Sequence, residues 1–202
     1  MSNFVITIGR QHGSGGRYIG EELARVLNIP CYDSELIAET AQQSGFAEGF
    51  VQTHEEQRPT SFLYSLVTGS ATISGDKPVS VQLFQAQSEV IRSLAAKGSC
   101  IIIGRCANYV LRNENVRTVD LFVHAPMFAR VARICERDEL EAAEAEKAIR
   151  QTDKTRQAYY NFFTGERWGE VQNYDLAVNT AAIGIPGVVD LVTEYLKIRG
   201  MI

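Results

Sequence analysis

The stretch Phe4-Val-Ile-Thr-Ile-Gly-Arg-Gln-His-Gly-Ser-Gly-Gly-Arg-Tyr-Ile-Gly20 decides how the chain is read. Phe4 to Ile8 is apolar and β-branched, and short enough for a buried parallel strand. Gly9 to Gly16 is a turn of small and polar residues. From Arg17 the pattern becomes helical, with Ile19, Leu23, Val26 and Leu27 on one face. Strand, glycine loop and helix together frame a phosphate-binding loop. Backbone N–H groups curl around an anion there, and the helix N-terminus adds partial positive charge. Gly13, Ser14, Gly15, Gly16 and Arg17 are the candidate cradle. A glycine-rich turn with no ligand is the competing reading.

Aligned with a kinase-type loop, Gly13 and Gly15 take the glycine positions and Gly16 stands where a lysine belongs. Tyr18 stands where a Mg²⁺-binding Ser or Thr belongs. Arg17, one place late, is the candidate substitute cation.

The 202 residues suit one domain, and 45% hydrophobic content supports a sizeable core. A net charge of −4 argues against nonspecific nucleic-acid binding, so an anion site must be a local arginine cluster. Cys31, Cys100, Cys106 and Cys135 show no CxxC spacing and fit reduced thiols in a cytoplasmic protein. No signal pattern or membrane-spanning apolar run is visible.

Outward from the loop, Asn28-Ile29-Pro30 ends the first helix. Cys31-Tyr32-Asp33 reads as a very short strand, followed by a helix from Glu35 to about Ser44 capped by Ser34. Asp33 then lies on the ligand edge of the sheet, as a ligand contact or a turn residue. Glu35 reads as a helix-dipole carboxylate. Residues 46–80 read as an excursion over the sheet edge; His54 and Arg58 fit a solvated helix face better than a ligand contact. Ser80 caps a helix to about Lys97, with Leu83, Phe84, Val90, Ile91 and Leu94 inward.

Cys100 to Gly104 is a buried strand, and Arg105 follows its C-terminal end as a phosphate or carboxylate binder. Asn108 to Arg112 is a short helix. Thr118 to Val123 is the next strand, and Pro126 opens a helix at Met127. Arg130, Arg133 and Arg137 share one face of it, where a solvated basic face is the alternative. Asp138 to Lys147 reads as an exposed continuation. In residues 150–169, Arg150, Asp153, Lys154 and Arg156 precede Tyr159, Tyr160, Phe162 and Phe163, with Gly165 and Gly169 as candidate hinges. A segment folding over a ligand explains both the cations and the aromatics. Asp175 to Asn179 is the last strand and Pro186 starts the closing helix. The tally is an α/β domain with a doubly wound parallel sheet of about five strands.

In this order the glycine loop, Tyr32-Asp33, the Ile-Gly-Arg strand end at Arg105, the arginine helix at Arg130 and Asp153-x-x-Arg156 resemble the cytidylate kinases. The chain is still more similar to the cytidylate kinase-like subfamily, whose loop commonly reads Ser-Gly-Gly-Arg. The resemblance covers nearly the whole chain. It implies a single P-loop kinase domain over residues 1–202, with an acceptor region at about 34–80 and a helical lid at about 150–169. It implies an ATP- and Mg²⁺-dependent phosphotransferase acting on a nucleoside monophosphate of the CMP or dCMP type. Gly13 to Arg17 would cradle the donor phosphates and Asp33 would hold the acceptor. Arg105, Arg130 and Arg133 would face the acceptor phosphate or the transferred group, and Asp153 and Arg156 would be the lid's paired charges. Arg17, Arg130, Arg133 and Arg156 are the candidate catalytic cations; no protein metal ligand is assigned. The missing lysine, Tyr18, and Cys106 in place of an acidic residue depart from the cytidylate kinase pattern. A kinase for another small acceptor and a nucleotide sensor without turnover therefore stay open.

Overall fold

The structure is a computed structural model and describes residues 3–34, 36–37 and 79–202. Of the expected helix after Ser34 only the start is described, helical at Ser34, Leu36 and Ile37; most of the acceptor region at 34–80, and Glu35, His54 and Arg58, lie outside the described residues. Five strands, β1 (Phe4–Arg10), β2 (Cys31–Tyr32), β3 (Cys100–Ile103), β4 (Arg117–His124) and β5 (Leu176–Asn179), form one sheet in the order β2-β3-β1-β4-β5. Every pairing is parallel, and Ile6 of the central strand sits between Ile101 and Val119. Besides a short 3₁₀ helix (Val171–Asn173) and the helical residues at Ser34, Leu36 and Ile37, six α-helices are described: α1 (Gly16–Leu27), α2 (Val79–Lys97), α3 (Ala107–Leu111), α4 (Met127–Asp138), α5 (Ala142–Thr164) and α6 (Thr180–Ile198).

Alternation along β1 and β3 builds a core on each face of the sheet. Ile6, Ile8, Ile101 and Ile103 pack under Ile19 and Leu23 of α1 and Val188, Val192 and Leu196 of α6. Val5, Cys100 and Ile102 pack under Ile91 of α2 and Val110 and Leu111 of α3. Buried on both sides, β1 is apolar from Phe4 to Ile8 except for Thr7, whose hydroxyl donates to Asp120 of β4, which is why this run lacks a polar face.

Three expectations change. Val26 is exposed, because the stripe of α1 runs through Ile19, Leu23 and Leu27 and leaves Val26 beside it. The helix carrying the arginines does not continue through Lys147. Glu139 takes left-handed backbone angles (φ 55), α4 stops at Asp138, and α5 starts at Ala142. Ile134, Ala145 and Ile149 bury one another across that corner, so α5 folds back on α4. Ser80 lies inside the first turn of α2 rather than ahead of it, a boundary shift of the usual size. The closing helix keeps its expected start in substance. Gly184 (φ 71) kinks α6, and the straight part begins beside Pro186.

The aromatics of α5 dock it on the body. Phe163 stacks on Phe84 of α2 at 4.3 Å, and Tyr159 donates to Gln87 Oε1 at 3.0 Å. Buried Tyr160 accepts from Asn108 Nδ2 of α3 at 3.0 Å. Gly165 is the left-handed C-cap of α5, and Gly169 faces the Phe122 ring so closely that a side chain there would collide with it.

Candidate active site

All five parallel strands end on one edge, which gathers the loop after β1, Asp33 after β2, Gly104 and Arg105 after β3, and the start of α4 after β4. The glycine loop turns into α1 at Gly15, whose φ of 91° only glycine adopts freely. No side chain caps α1 and its first turn carries no acid. Its leading N–H groups therefore point at the loop's hollow without a capping oxygen, as in an anion site.

The loop is clamped from outside through its carbonyls. Arg156 Nη1 donates to the Arg10 carbonyl at 3.0 Å, and Arg130 Nη1 to that of His12 at 3.4 Å. Arg133 Nη1 donates to the Gly13 carbonyl at 2.5 Å, and Thr180 Oγ1 to the Ser14 carbonyl at 2.7 Å. A trans peptide puts N–H opposite C=O. Holding the His12 and Ser14 oxygens therefore turns the Gly13 and Gly15 N–H groups away from the clamp, forming a nest. Gly13 (φ 74) must be glycine, since a Cβ would lie 2.9 Å from the Arg130 backbone oxygen.

Asp153 completes the clamp. Its Oδ2 pairs with Arg130 Nη1 at 2.5 Å and its Oδ1 accepts the His12 amide at 2.7 Å. Arg130 is 6% exposed, so the reading of Arg130, Arg133 and Arg137 as a solvated basic face fails for the first of them. Arg133 also turns to the loop, while Arg137 pairs with Asp138 on the exposed side. Burial pulls the Arg156 guanidinium down, with Asp153 opposing and Arg137 adding to it.

The remaining candidates spread along the edge. Ser14 is fully buried and its hydroxyl donates to the Gln11 carbonyl at 2.8 Å. Arg17 is exposed and contacts Glu21 Oε1 at 3.0 Å and Asp33 Oδ2 at 3.1 Å. Asp33 Oδ1 accepts the Leu36 amide. Arg105, in left-handed backbone geometry (φ 52), lies over the Tyr159 ring at 5.7 Å, and its Nε is buried with no hydrogen-bond partner among the described residues.

Two residues of the site escaped the sequence reading. Arg10 ends β1 with its side chain laid across the edge. Burial, with Arg156 and Arg105 beside it, pulls its guanidinium down to about 9, still charged at neutral pH. Burial, with Arg156 and Arg137 nearby, pulls the His12 imidazole down to about 4, so it is neutral at pH 7. The signal for Arg10 was present: it is a charged residue closing a buried strand, as Arg105 is.

Residues 5–182 match the model of the Cytidylate kinase-like family. The chain belongs to this family. Among curated relatives of this cytidylate kinase-like chain, a cytidylate kinase of Thermoplasma acidophilum is 21% identical over 91% of this chain and 87% of its own length. An uncharacterized protein from Eubacterium ventriosum has a solved structure of TM-score 0.74, with 24% identity, covering 96% of this chain and 98% of the other. A shikimate kinase from Bacteroides thetaiotaomicron superposes with TM-score 0.53 at 15% identity, covering 97% and 99%. The cytidylate kinase-like chain thus has a P-loop kinase fold of five parallel strands flanked by helices.

The donor set suits polyphosphate: a nest, a helix N-terminus and planar guanidinium forks. Among the described residues, no group of three or more His, Cys, Asp or Glu is placed to hold a metal ion. Mg²⁺ on a nucleotide needs only one or two carboxylates besides phosphate oxygens and water, and Asp33 is the carboxylate that acts on Arg10. Among the described residues, no helix is long and apolar enough to cross a membrane.

Proposed function

We propose that the chain is an ATP-dependent phosphotransferase that moves the γ-phosphoryl group to a nucleoside monophosphate of the CMP or dCMP type. One observation carries this reading: arginines from the ends of β1 and β3, from α4 and from α5 converge on a glycine loop whose carbonyls are held outward. Family membership and the naming of relatives as cytidylate kinases support the acceptor class.

In this reading Gly13 to Gly16 bind the donor phosphates through backbone N–H. Arg105, beyond β3, holds the acceptor phosphate, and Asp33 holds its nucleoside side. Arg130 and Arg133 fix the loop, and Arg156 brings α5 over it, making residues 150–169 the lid. When bound with the nucleotide, Mg²⁺ would neutralise phosphate charge. An acceptor phosphate is already ionised, so no protein base has to remove a proton. Positioning and cationic charge carry the rate, and cover by α5 keeps water from the transferring group.

A nucleotide sensor without turnover is the second reading, favoured by glycine at the lysine position of the loop. The deciding experiment incubates the purified chain with ATP–Mg²⁺ and each nucleoside monophosphate, or small alcohols, and follows phosphoryl transfer directly. Transfer to CMP or dCMP upholds the proposal. Transfer only to another acceptor revises the substrate, and tight ATP binding without transfer to any acceptor replaces the enzyme by the sensor.

A further inference from the structure

We infer that Arg10 is a phosphate-binding residue, its side chain filling in space the place that the absent loop lysine would hold. Resting on the phosphotransferase reading, this names the cation at the junction of donor and acceptor. Three observations converge on it.

The first is steric. A Cβ on Gly16 would lie 2.6 Å from Arg10 Cβ and 2.9 Å from its Cγ. Position 16 is where a kinase-type loop carries lysine. Here the space above that position belongs to the stem of Arg10, so glycine at 16 and arginine at 10 are two halves of one arrangement.

The second is the path of the side chain. From the first turn of α1 it runs to the end of β3, where Nη1 lies against Gly104. Gly104 has φ 83° and no room for a side chain on that side. Arg10 therefore bridges the glycine loop and the Arg105 segment, the two parts of the edge that a transferred phosphoryl group must pass between.

The third is charge. Arg156, Arg105 and Arg17 all act on Arg10 as like charges, against one nearby carboxylate, Asp33. A guanidinium has five N–H donors. Among the described residues, those of Arg10 make one hydrogen bond, from Nη2 to Ser34 Oγ at 3.5 Å. Like charges collected around uncommitted donors call for an anion with several acceptor oxygens, and a phosphate chain offers them. A purely structural arginine would be expected to hold a carboxylate or a backbone carbonyl, as Arg130 and Arg156 do.

The test titrates inorganic tripolyphosphate into the full chain by calorimetry, for the parent, Arg10→Met, Arg10→Lys and Gly16→Ala. Thermal unfolding is followed with and without the probe. Tripolyphosphate carries no base or sugar, so binding does not depend on which nucleotide is the substrate. Arg10→Met should bind about ten- to a hundred-fold more weakly, as expected for losing charge-assisted contacts. Arg10→Lys should recover part of the loss. Gly16→Ala keeps Arg10 but shifts its stem, and should bind more weakly too. Without probe, Arg10→Met should melt no lower than the parent, because a cation among cations has been removed. Parental affinity in Arg10→Met overturns the inference, as does a parent that does not bind the probe. So does a lower melting point in Arg10→Met with unchanged stabilisation by the probe. Phosphoryl transfer at the parental rate by Arg10→Met also overturns it, and leaves the phosphotransferase reading standing. Arg10-dependent probe binding in a parent that transfers nothing upholds it and sinks that reading instead.

Discussion

Arg130 and Asp153 meet across the glycine loop with Nη1 2.5 Å from Oδ2, while the other oxygen of the same carboxylate holds the His12 amide. The pair is largely buried, so its value lies in what happens when one member goes. Asp153→Ala leaves Arg130 uncompensated and should lower stability by about 3–5 kcal/mol. The double variant Arg130→Met/Asp153→Leu should be less destabilised than Asp153→Ala, because no unpaired charge remains. Urea unfolding of the three proteins measures this; a double variant weaker than the single refutes it.

Gly104 should tolerate no side chain. Gly104→Ala strains a left-handed backbone, at about 1–3 kcal/mol, and drives its methyl into the Arg10 guanidinium. ATP affinity should fall about tenfold or more if a charge-assisted contact goes with it. Calorimetry beside a melting curve separates lost binding from lost folding.

Arg156→Ala should lower kcat more than it weakens ATP binding, by about a hundred-fold, the scale of one lost transition-state donor. Arg105→Ala should instead raise the acceptor KM. Hydrogen exchange in residues 150–169 should slow when both substrates bind. Equal losses of kcat and ATP affinity in Arg156→Ala would reduce this residue to a clamp on the Arg10 carbonyl.

Arg17→Ala should weaken ATP binding less than Arg10→Met does. Arg17 is exposed and engaged with Glu21 and Asp33, and such surface pairs contribute little. The reverse order of affinities would return the lysine's role to Arg17.

Asp120 sets a pH dependence away from the site. Burial, opposed by the Thr7 hydroxyl and reinforced by Asp175, pushes its carboxyl up to about 6. The unfolded chain releases this proton near pH 4. Between about pH 4 and 6 the native state holds more protons, so stability falls as pH rises. Asp120→Asn should therefore be more stable than the parent at pH 7, by about 1–3 kcal/mol, with the gap closing below about pH 4. Melting curves across that range check the sign.

The sheet was legible because a strand buried on both faces has to be almost wholly apolar, and Phe4 to Ile8, with Thr7 alone polar, and Cys100 to Ile103 are. The turn from α4 to α5 was not. Glu139 adopts left-handed angles without being glycine, and the alanine-rich run beyond it favours helix throughout. The arginine helix was found by its spacing, but spacing cannot distinguish a clamp on carbonyls from a solvated face. That distinction needs Asp153, which lies 23 positions from Arg130. Arg10 was hidden by proximity: inside the glycine stretch its side chain reads as part of the turn, although it leaves the loop and crosses to β3.

The clamp also has a history in time. The loop is synthesised before the four side chains that clamp it from outside, Arg130, Arg133, Arg156 and Thr180, which lie 118 to 166 positions downstream. A nascent chain that has exposed β1, α1 and β3 carries the glycine sequence without its geometry. Closing contacts of that separation comes late in folding. A phosphate ligand that recognises the finished nest therefore cannot stabilise the growing chain, and its stabilising effect begins only when α6 has docked.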